Sequence, residues 1–137
     1  MKKTIYETNY ERLNKILGGL LDTMDFEYLK LKSKGFMDLH IDKLSDDMIA
    51  IAHNYRQNGD TIPDPDMQLR ISRYNGRSFL EALTFQNSLV YQEVYPEPGM
   101  VNPRLKKELN SFLRQWLINL KNQGFKHEAQ VAVEVPK

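Results

Sequence analysis

The stretch NPRLKKELNSFLRQWLINLKNQG, residues 102–124, decides the fold because it carries the longest helical pattern in the chain. Asn102 followed by Pro103 suits a helix N-cap with proline at the first helical position. Gly124 suits the end of the helix. Apolar residues between them recur at steps of three and four: Leu105, Leu109, Phe112, Leu113, Trp116, Leu117 and Leu120. The pattern predicts an amphipathic helix over residues 103–123, with Trp116 at the centre of its buried face.

Upstream of this helix, between residues 27 and 95, the spacing of the apolar residues changes, so that every second residue is apolar. The alternation is clearest in EYLKLKS (27–33), FMDLHID (36–42), MIAIAHNYRQ (48–57) and MQLRISRY (67–74). Such alternation is typical of strands with one buried face. The segments FLEALTF (79–85) and LVYQEVY (89–95) follow after Asn75-Gly76, a strong two-residue hairpin signal. Because the connections have hairpin length, we predict an antiparallel meander of five to six strands.

A second helical pattern lies at the N-terminus. Thr8 and Glu11 have the spacing of a capping box, and apolar residues continue from Leu13 at helical steps. We therefore predict a helix over residues 8–24. Gly18 and Gly19 weaken it by about 1 kcal/mol each relative to alanine. We expect them to permit close packing within the helix rather than to end it.

The order helix, meander, helix predicts one α+β domain over residues 1–137, with both helices on one face of the sheet. The tail, residues 124–137, contains the alternation Val131, Val133 and Val135. That alternation favours a final edge strand slightly over a loose terminus.

Composition excludes several classes of function. The chain has no cysteine, so it has no disulfide, thiolate nucleophile or cysteine-bound metal. Its net charge is +1, which provides no overall field for nucleic acid or acidic lipid. No stretch approaches the roughly 20 apolar residues of a membrane span. We expect a soluble, cytoplasmic protein that does not bind membranes.

The C-terminal part of the chain resembles two known families. YPEPGM followed by LKKELNSFLRQWL is similar to the signature of the YqiB-like domain of unknown function, a family of short bacterial proteins. IAHNYRQNGD, DPDM and VYQEVYPEPG, with the last helix, resemble a second domain of unknown function found in bacterial mobile-element proteins. The likeness covers residues 48–125. It implies a fold and a bacterial origin, but no activity, cofactor or catalytic residue.

The acidic segment NGDTIPDPDMQLRI, residues 58–71, is a candidate metal site. Asp64 and Asp66 have the spacing of two carboxylate ligands, and Asp60 lies nearby. However, the further ligands of a calcium loop do not follow. The prolines and Asn58-Gly59 also suit a rigid turn. We therefore interpret residues 60–66 as a stiff connection between strands that binds no metal.

The three histidines, His40, His53 and His127, lack the spacing of a metal site. We expect His40 beside Asp38 and Asp42 on a polar strand face, and His53 partly buried and hydrogen-bonded. The chain also has no G-x-S-x-G elbow, phosphate-binding loop or dinucleotide fingerprint. These observations argue against an enzyme and predict no cofactor.

The last helix offers a candidate contact surface. Lys107, Arg114 and Lys121 recur every seven residues opposite the apolar stripe, and we expect Ile118 to be exposed among them. A row of charges is most often a solvated face, but an outward isoleucine within it favours a contact. The aromatic residues of the strands are interpreted as packing residues, although exposed ones could stack on bases: Tyr55, Tyr74, Phe79, Phe85, Tyr91 and Tyr95.

Together these patterns favour a small non-enzymatic binding or accessory module, of mobile-element origin. Lys107, Arg114, Ile118 and Lys121 would contact an unknown protein partner or a second copy of the chain. The alternative is a nucleic-acid-associated protein that uses the same basic row and exposed tyrosines. A third hypothesis is a metal-dependent enzyme built on the 60–66 loop and a histidine.

Overall fold

The computed structural model describes residues 2–127, which form three helices and seven strands. The helices are α1 (Ile5–Ile16), α2 (Leu20–Thr23) and α3 (Pro103–Asn122). The strands are β1 (Tyr28–Leu31), β2 (Leu39–Ser45), β3 (Met48–Gln57), β4 (Asp60–Tyr74), β5 (Arg77–Ala82), β6 (Thr84–Gln86) and β7 (Tyr91–Glu93). The fold is α+β, as predicted. The predicted edge strand at Val131–Val135 lies outside the described residues.

All strand pairs are antiparallel, and the order across the sheet is β1-β2-β3-β4-β6-β7. β5 also pairs with β4, and Leu83 separates it from β6. The predicted antiparallel meander is therefore confirmed. Residues 2–127 contain seven strands, one more than the largest number predicted. The additional strand arises because the segment after Asn75-Gly76 is divided at Leu83.

One face of the sheet carries the core. Ile41, Ile51 and Met67 lie side by side on neighbouring strands and are fully buried. Leu13 and Leu17 from the first helical segment and Leu113, Trp116 and Leu117 from α3 belong to the same cluster. The residues that alternate with the buried ones, such as Asp42 and Gln68, are exposed or half-buried. Both longer helices therefore cover the same face, as the period-two pattern predicted.

The prediction of one helix over residues 8–24 is wrong at both ends. The helix begins earlier, because Thr4 is the N-cap and forms the capping box with Glu7. It ends at Ile16 because Gly18 and Gly19 take positive φ angles of 67° and 92°, and the short α2 follows. A side chain at Gly18 would also approach the His127 carbonyl oxygen to 3.2 Å. The two glycines thus end the helix, and Gly18 also admits the chain that follows α3.

The interpretation of residues 60–66 as a connection is also wrong. The turn consists of Asn58 and Gly59 alone, with φ angles of 53° and 85°. Gln57 pairs with Asp60, so all of residues 60–66 belong to β4. The prolines fit because the β3–β4 register shifts between Ala52 and Asn54, which relaxes the demand for a regular hydrogen-bond ladder.

The position of α3 is set by its predicted caps and by one buried polar residue. Asn102 accepts a hydrogen bond from the Leu105 backbone N–H at 3.1 Å, and Pro103 opens the helix. Asn110, which is 1% exposed, accepts a hydrogen bond from the Ala82 backbone N–H at 2.9 Å. The side chain of Asn110 thereby joins the middle of the helix to the end of β5. Trp116 is buried, as predicted.

Candidate functional site

Helices α1 and α3 lie next to each other and run in the same direction. Near their N-termini, the Lys106 ammonium group lies 5.7 Å from the centre of the Tyr6 ring. One turn further along, the Asn9 side-chain amide donates to the Asn110 carbonyl oxygen at 3.2 Å. Ile16 and Leu117 line one groove at the other end. The outer surface of the protein on this side is therefore formed by two helices rather than one.

The basic row predicted on α3 borders this helix pair. Lys107, Arg114 and Lys121 are all exposed. Lys107 lines a hollow that it shares with Ile5 and Tyr6 of α1. Lys121 lines a larger groove at the opposite end of α3, together with Ile118. Ile118 is half-buried instead of exposed, because it lies at the wall of the groove.

We call this larger depression the α1–α3 groove; its volume is about 780 Å³. Its apolar lining consists of Ile118, which is half-buried, and of three buried core residues, Ile16, Leu117 and Phe125. Its polar and charged lining is drawn from both helices and from the chain after α3: Thr8, Glu11, Arg12, Lys15, Lys121, Asn122 and Lys126. The groove thus combines an apolar centre with a mainly basic rim.

The basic rim reflects a wider separation of charge. Residues 2–16 and 103–126, which contain both long helices, carry ten Lys and Arg against three Asp and Glu, a net charge of +7. Residues 17–102, which form α2, the sheet and its loops, carry eight Lys and Arg against thirteen Asp and Glu, a net charge of −5. The net charge of +1 for the whole chain conceals this difference. One layer of the fold is strongly basic and the other is acidic.

Arg12 is an unusual member of the groove lining. Its Nη1 atom is covered by the protein and has no hydrogen-bond partner within residues 2–127. The neighbouring acid, Glu11, is occupied by Lys3, whose Nζ lies 2.6 Å from a Glu11 carboxylate oxygen. A covered guanidinium nitrogen without an acceptor costs free energy that a hydrogen bond would recover. The groove therefore holds a cation whose hydrogen-bonding capacity is not fully used.

The histidines do not form a common site. His40 Nδ1 lies 2.5 Å from the Tyr28 hydroxyl on the outer side of the sheet. His53 is buried, pairs its Nδ1 with the Asp38 carbonyl oxygen at 3.0 Å, and lies 5.6 Å from both the Trp116 and the Phe125 ring. This agrees with the prediction of a hydrogen-bonded histidine. The backbone N–H of His127 donates to the Ile16 carbonyl oxygen at 2.8 Å.

The aspartates of β4 do not converge either. Asp60 and Asp64 are exposed, whereas Asp66 is half-buried on the outer face of the sheet. Burial, and secondarily the charge of Asp42, raises the pKa of Asp66. Within residues 2–127, no three His, Asp or Glu side chains are arranged to hold one metal ion.

Two polar clusters hold the elements together. Glu7 is buried and binds Arg77 with both carboxylate oxygens, at 2.8 and 2.5 Å, which lowers the pKa of Glu7. This pair joins α1 to β5. At the start of α3, Lys106 lies 3.2 Å from the Tyr95 hydroxyl and 3.3 Å from Glu81. Because these groups satisfy one another, both clusters are best explained as structural contacts.

The strand aromatics are distributed over different parts of the sheet. Tyr74 and Tyr91 are 71% and 54% exposed, but neither lines the α1–α3 groove. Phe85 packs edge-on against Phe112 of α3, with 5.3 Å between the ring centres. Tyr95 is half-buried in the cluster with Lys106. The exposed tyrosines therefore do not share the groove that Lys121 and Ile118 line.

Sequence reasoning missed the α1 side of the groove. Arg12 and Lys15 flank the buried Leu13 and Ile16, so they had to lie at the edges of the helix face that packs on the core. That signal was present in the sequence. It was not enough, because the pairing of α1 with α3 depends on contacts between residues about 100 positions apart, such as Asn9 with Asn110.

Comparison with known proteins gives a family but no activity. No helix within residues 2–127 has the length and apolar character needed to cross a membrane. No curated protein and no solved structure matches the chain. Residues 8–126 match the family described as Domain of unknown function (DUF6908). The match begins within α1 and continues past the end of α3, so the chain belongs to the DUF6908 family.

Proposed function

We propose that the protein is a non-enzymatic binding module that recognises a protein partner through the surface formed by α1 and α3. The observation that carries this proposal is the α1–α3 groove, in which the half-buried Ile118 is bordered by basic side chains from two helices. Protein contacts combine an apolar centre with a polar rim in this way. The groove includes Ile118 and Lys121 of the predicted contact row.

The partly exposed Ile118 in the groove favours a protein partner over nucleic acid. Phosphate recognition requires basic groups along a backbone, and single-stranded bases require exposed aromatic rings beside them. The groove instead offers the half-buried aliphatic side chain of Ile118. Exposed Tyr74 and Tyr91 are not part of its lining. The scattered histidines and aspartates support a non-enzymatic role by the criteria for catalytic constellations.

The biological setting of the proposal rests on resemblance. The likeness of residues 48–125 to a domain found in bacterial mobile-element proteins supports an accessory protein of mobile-element origin. The likeness to the YqiB-like domain supports a bacterial source, and the absence of cysteine fits the reducing cytoplasm. A module that recruits or regulates another protein would need no cofactor.

Site-specific photo-crosslinking in the native host tests this function. A photoreactive amino acid replaces Asn122, which lines the groove, or Ser72, which is exposed on the opposite face of the sheet. We expect a defined protein adduct from position 122 and none from position 72. Charge reversal by Lys121→Glu should remove the adduct.

The digestion pattern of the adduct identifies the partner class. An adduct that disappears with protease but resists nuclease supports the proposal. A nuclease-sensitive adduct from position 122 would favour the nucleic-acid alternative instead. Equal adducts from positions 122 and 72 would refute recognition through the groove.

A further inference from the structure

We infer that the open edge of β1 is a strand-addition site, and that residues 131–135 of the same chain occupy it as an antiparallel strand. The inference concerns the sheet and does not depend on the α1–α3 groove. It gives the C-terminal segment EAQVAVEVPK, residues 128–137, a defined place on the fold. By covering the edge, the segment would keep the sheet from pairing with strands of other chains.

The edge of β1 presents backbone groups that need partners. Within residues 2–127, β1 pairs only with β2. The Lys43 N–H donates to the Glu27 carbonyl oxygen at 3.0 Å, which fixes which residues of β1 bond to β2. Because hydrogen-bonded pairs alternate along an antiparallel ladder, the backbone groups of Tyr28 and Lys30 point away from β2. No backbone group within the described residues pairs with them. An edge of this kind can accept an extended segment.

Apolar side chains along this edge also lack cover. Leu31 is buried, whereas Leu29, its neighbour on the same face of β1, is half-buried against the core cluster. Tyr28 is exposed, and so are Phe36 and Met37 in the loop that leads to β2. A further strand beside β1 would extend the buried face of the sheet at the point where the core ends.

The chain after α3 comes close to this edge. Ser33, two residues after β1, donates a hydrogen bond to the Gln123 carbonyl oxygen. The Phe125 ring lies 6.3 Å from the ring of Phe36, in the loop that follows β1. His127, the last described residue, follows two positions later. An extended segment of ten residues spans up to about 33–36 Å, which exceeds the roughly 13 Å of a four-residue strand such as β1.

The C-terminal segment has the pattern of a strand with one buried face. Its valines alternate with small or polar residues: Val131, Val133 and Val135. Valine is β-branched and favours a strand. On the core side of the sheet, the three valines would continue the row that Leu29 and Leu31 begin. Pro136 follows directly and ends the run, because proline has no backbone N–H to donate.

The direction of the added strand follows from where the chain approaches. The contact with Ser33 places the approach at the C-terminal end of β1. A segment that runs from there along β1 points the opposite way, so the pair would be antiparallel. Glu134, which alternates with the valines, would then share the outer face with Lys30. Lys30 forms no ion pair within the described residues.

The opposite edge of the sheet, β7, suits the segment less well. It lies five strand positions from β1, a distance of about 24 Å at roughly 4.8 Å per strand. Its residue on the helix side is the exposed Gln92, which pairs with Phe85. Valines added there would lie beside a polar side chain, whereas β1 offers two leucines.

Hydrogen exchange of the full-length chain, followed by NMR, tests the inference. We expect the Lys30 backbone amide to exchange roughly 10- to 100-fold more slowly than the Glu93 amide, after correction for intrinsic rates, because it would donate to the added strand. Glu93 is the matched control, since its N–H points outward from the opposite edge and has no acceptor within residues 2–127.

Two substitutions in the segment test which face it buries. Val133→Asp places a charge on the proposed buried face and should bring the Lys30 amide to the exchange rate of the Glu93 amide. Ala132→Asp is the matched control, because residue 132 would lie on the outer face, and it should leave the exchange of Lys30 unchanged. Unchanged Trp116 emission in both variants would show that the core is intact.

A cysteine pair locates the segment directly. The chain has no cysteine, so an engineered pair has no competing thiol. Leu29→Cys combined in turn with Val131→Cys, Val133→Cys or Val135→Cys should give an intramolecular disulfide in at least one case, because the valines would lie on the same face as residue 29. Leu29→Cys with Ala132→Cys should give none, since residue 132 would point to the other face.

Several results would overturn the inference. These are rapid exchange at Lys30 in the wild type, protection of Lys30 that survives Val133→Asp, and a disulfide that forms equally well from residue 132. A disulfide that joins two chains would show that the segment pairs with a second copy, which also contradicts occupation by the same chain. Protection of Glu93 in place of Lys30 would assign the segment to β7 and refute the choice of edge.

Discussion

Replacing Asn110 by alanine should destabilise the protein more than the small size of the asparagine side chain suggests. Asn110 is 1% exposed, and its Oδ1 atom is the acceptor for the Ala82 backbone N–H at 2.9 Å. Its Nδ2 atom donates to the Lys106 carbonyl oxygen at 2.8 Å. Asn110→Ala leaves the Ala82 N–H in the interior without an acceptor, which costs about 1–3 kcal/mol. Loss of the second bond costs about 0.5–1.5 kcal/mol more.

The better helix propensity of alanine offsets about 0.5 kcal/mol of this cost. We therefore expect the free energy of unfolding to fall by about 1–4 kcal/mol, measured by urea titration with an unchanged m-value. For a domain of this size the melting temperature should fall by roughly 3–5 °C per kcal/mol.

The matched control is Asn119→Ala on the same helix. Asn119 is exposed, and its Oδ1 atom accepts a hydrogen bond from Gln115 at the surface. That change should alter the free energy of unfolding by less than about 0.5 kcal/mol. If Asn110→Ala has an equally small effect, the bond between Asn110 and Ala82 does not fix α3 on the sheet.

Four further predictions follow from burial and charge. Trp116→Ala should cost about 3–5 kcal/mol by cavity formation, and native tryptophan emission should be blue-shifted. Because Arg77 lowers the pKa of Glu7, the stability advantage of the wild type over Glu7→Gln should be full at neutral pH and disappear as the pH falls through the acidic range. Because burial raises the pKa of Asp66, Asp66→Asn should stabilise the protein at neutral pH and lose that advantage in acid; chemical denaturation at several pH values measures both. If the basic row of Lys107, Arg114 and Lys121 binds DNA or RNA phosphates, the logarithm of the binding constant should fall with the logarithm of the salt concentration with a slope of roughly −2 to −3. Replacing all three residues by glutamine should then make this slope shallower.

The features predicted best from sequence are those that depend on neighbouring residues. The cap at Asn102, the apolar stripe through Trp116 and the end near Gly124 all follow from local geometry. The buried faces of the strands follow from the period of two, because a strand in this sheet can turn only one face toward the helices. His53 was placed correctly for the same reason, since it alternates with Ile49 and Ile51.

The errors arose where two local signals competed. Thr4 and Thr8 both precede a glutamate at the spacing of a capping box, and the structure uses the earlier pair, in which Glu7 also binds Arg77. Residues 60–66 have the composition of a turn, but Asn58 and Gly59 alone form the turn. Residues 60–66 instead pair with β3 as part of β4. In both cases a contact between residues far apart in the chain selects one of two local structures that the sequence pattern favours almost equally.

The separation of charge explains why the net charge of the chain does not describe the charge of its two layers. A net charge of +1 predicts no long-range attraction for a molecule with evenly mixed charges. Here the two basic segments, residues 2–16 and 103–126, are separated by 86 residues in the chain and form one layer in the fold. An approaching acidic partner is attracted by the helical layer, with its charge of +7, and repelled by the remainder, with its charge of −5. In the proposed binding, this field would orient such a partner toward the helical layer before any contact forms, and the steering would weaken as salt is added.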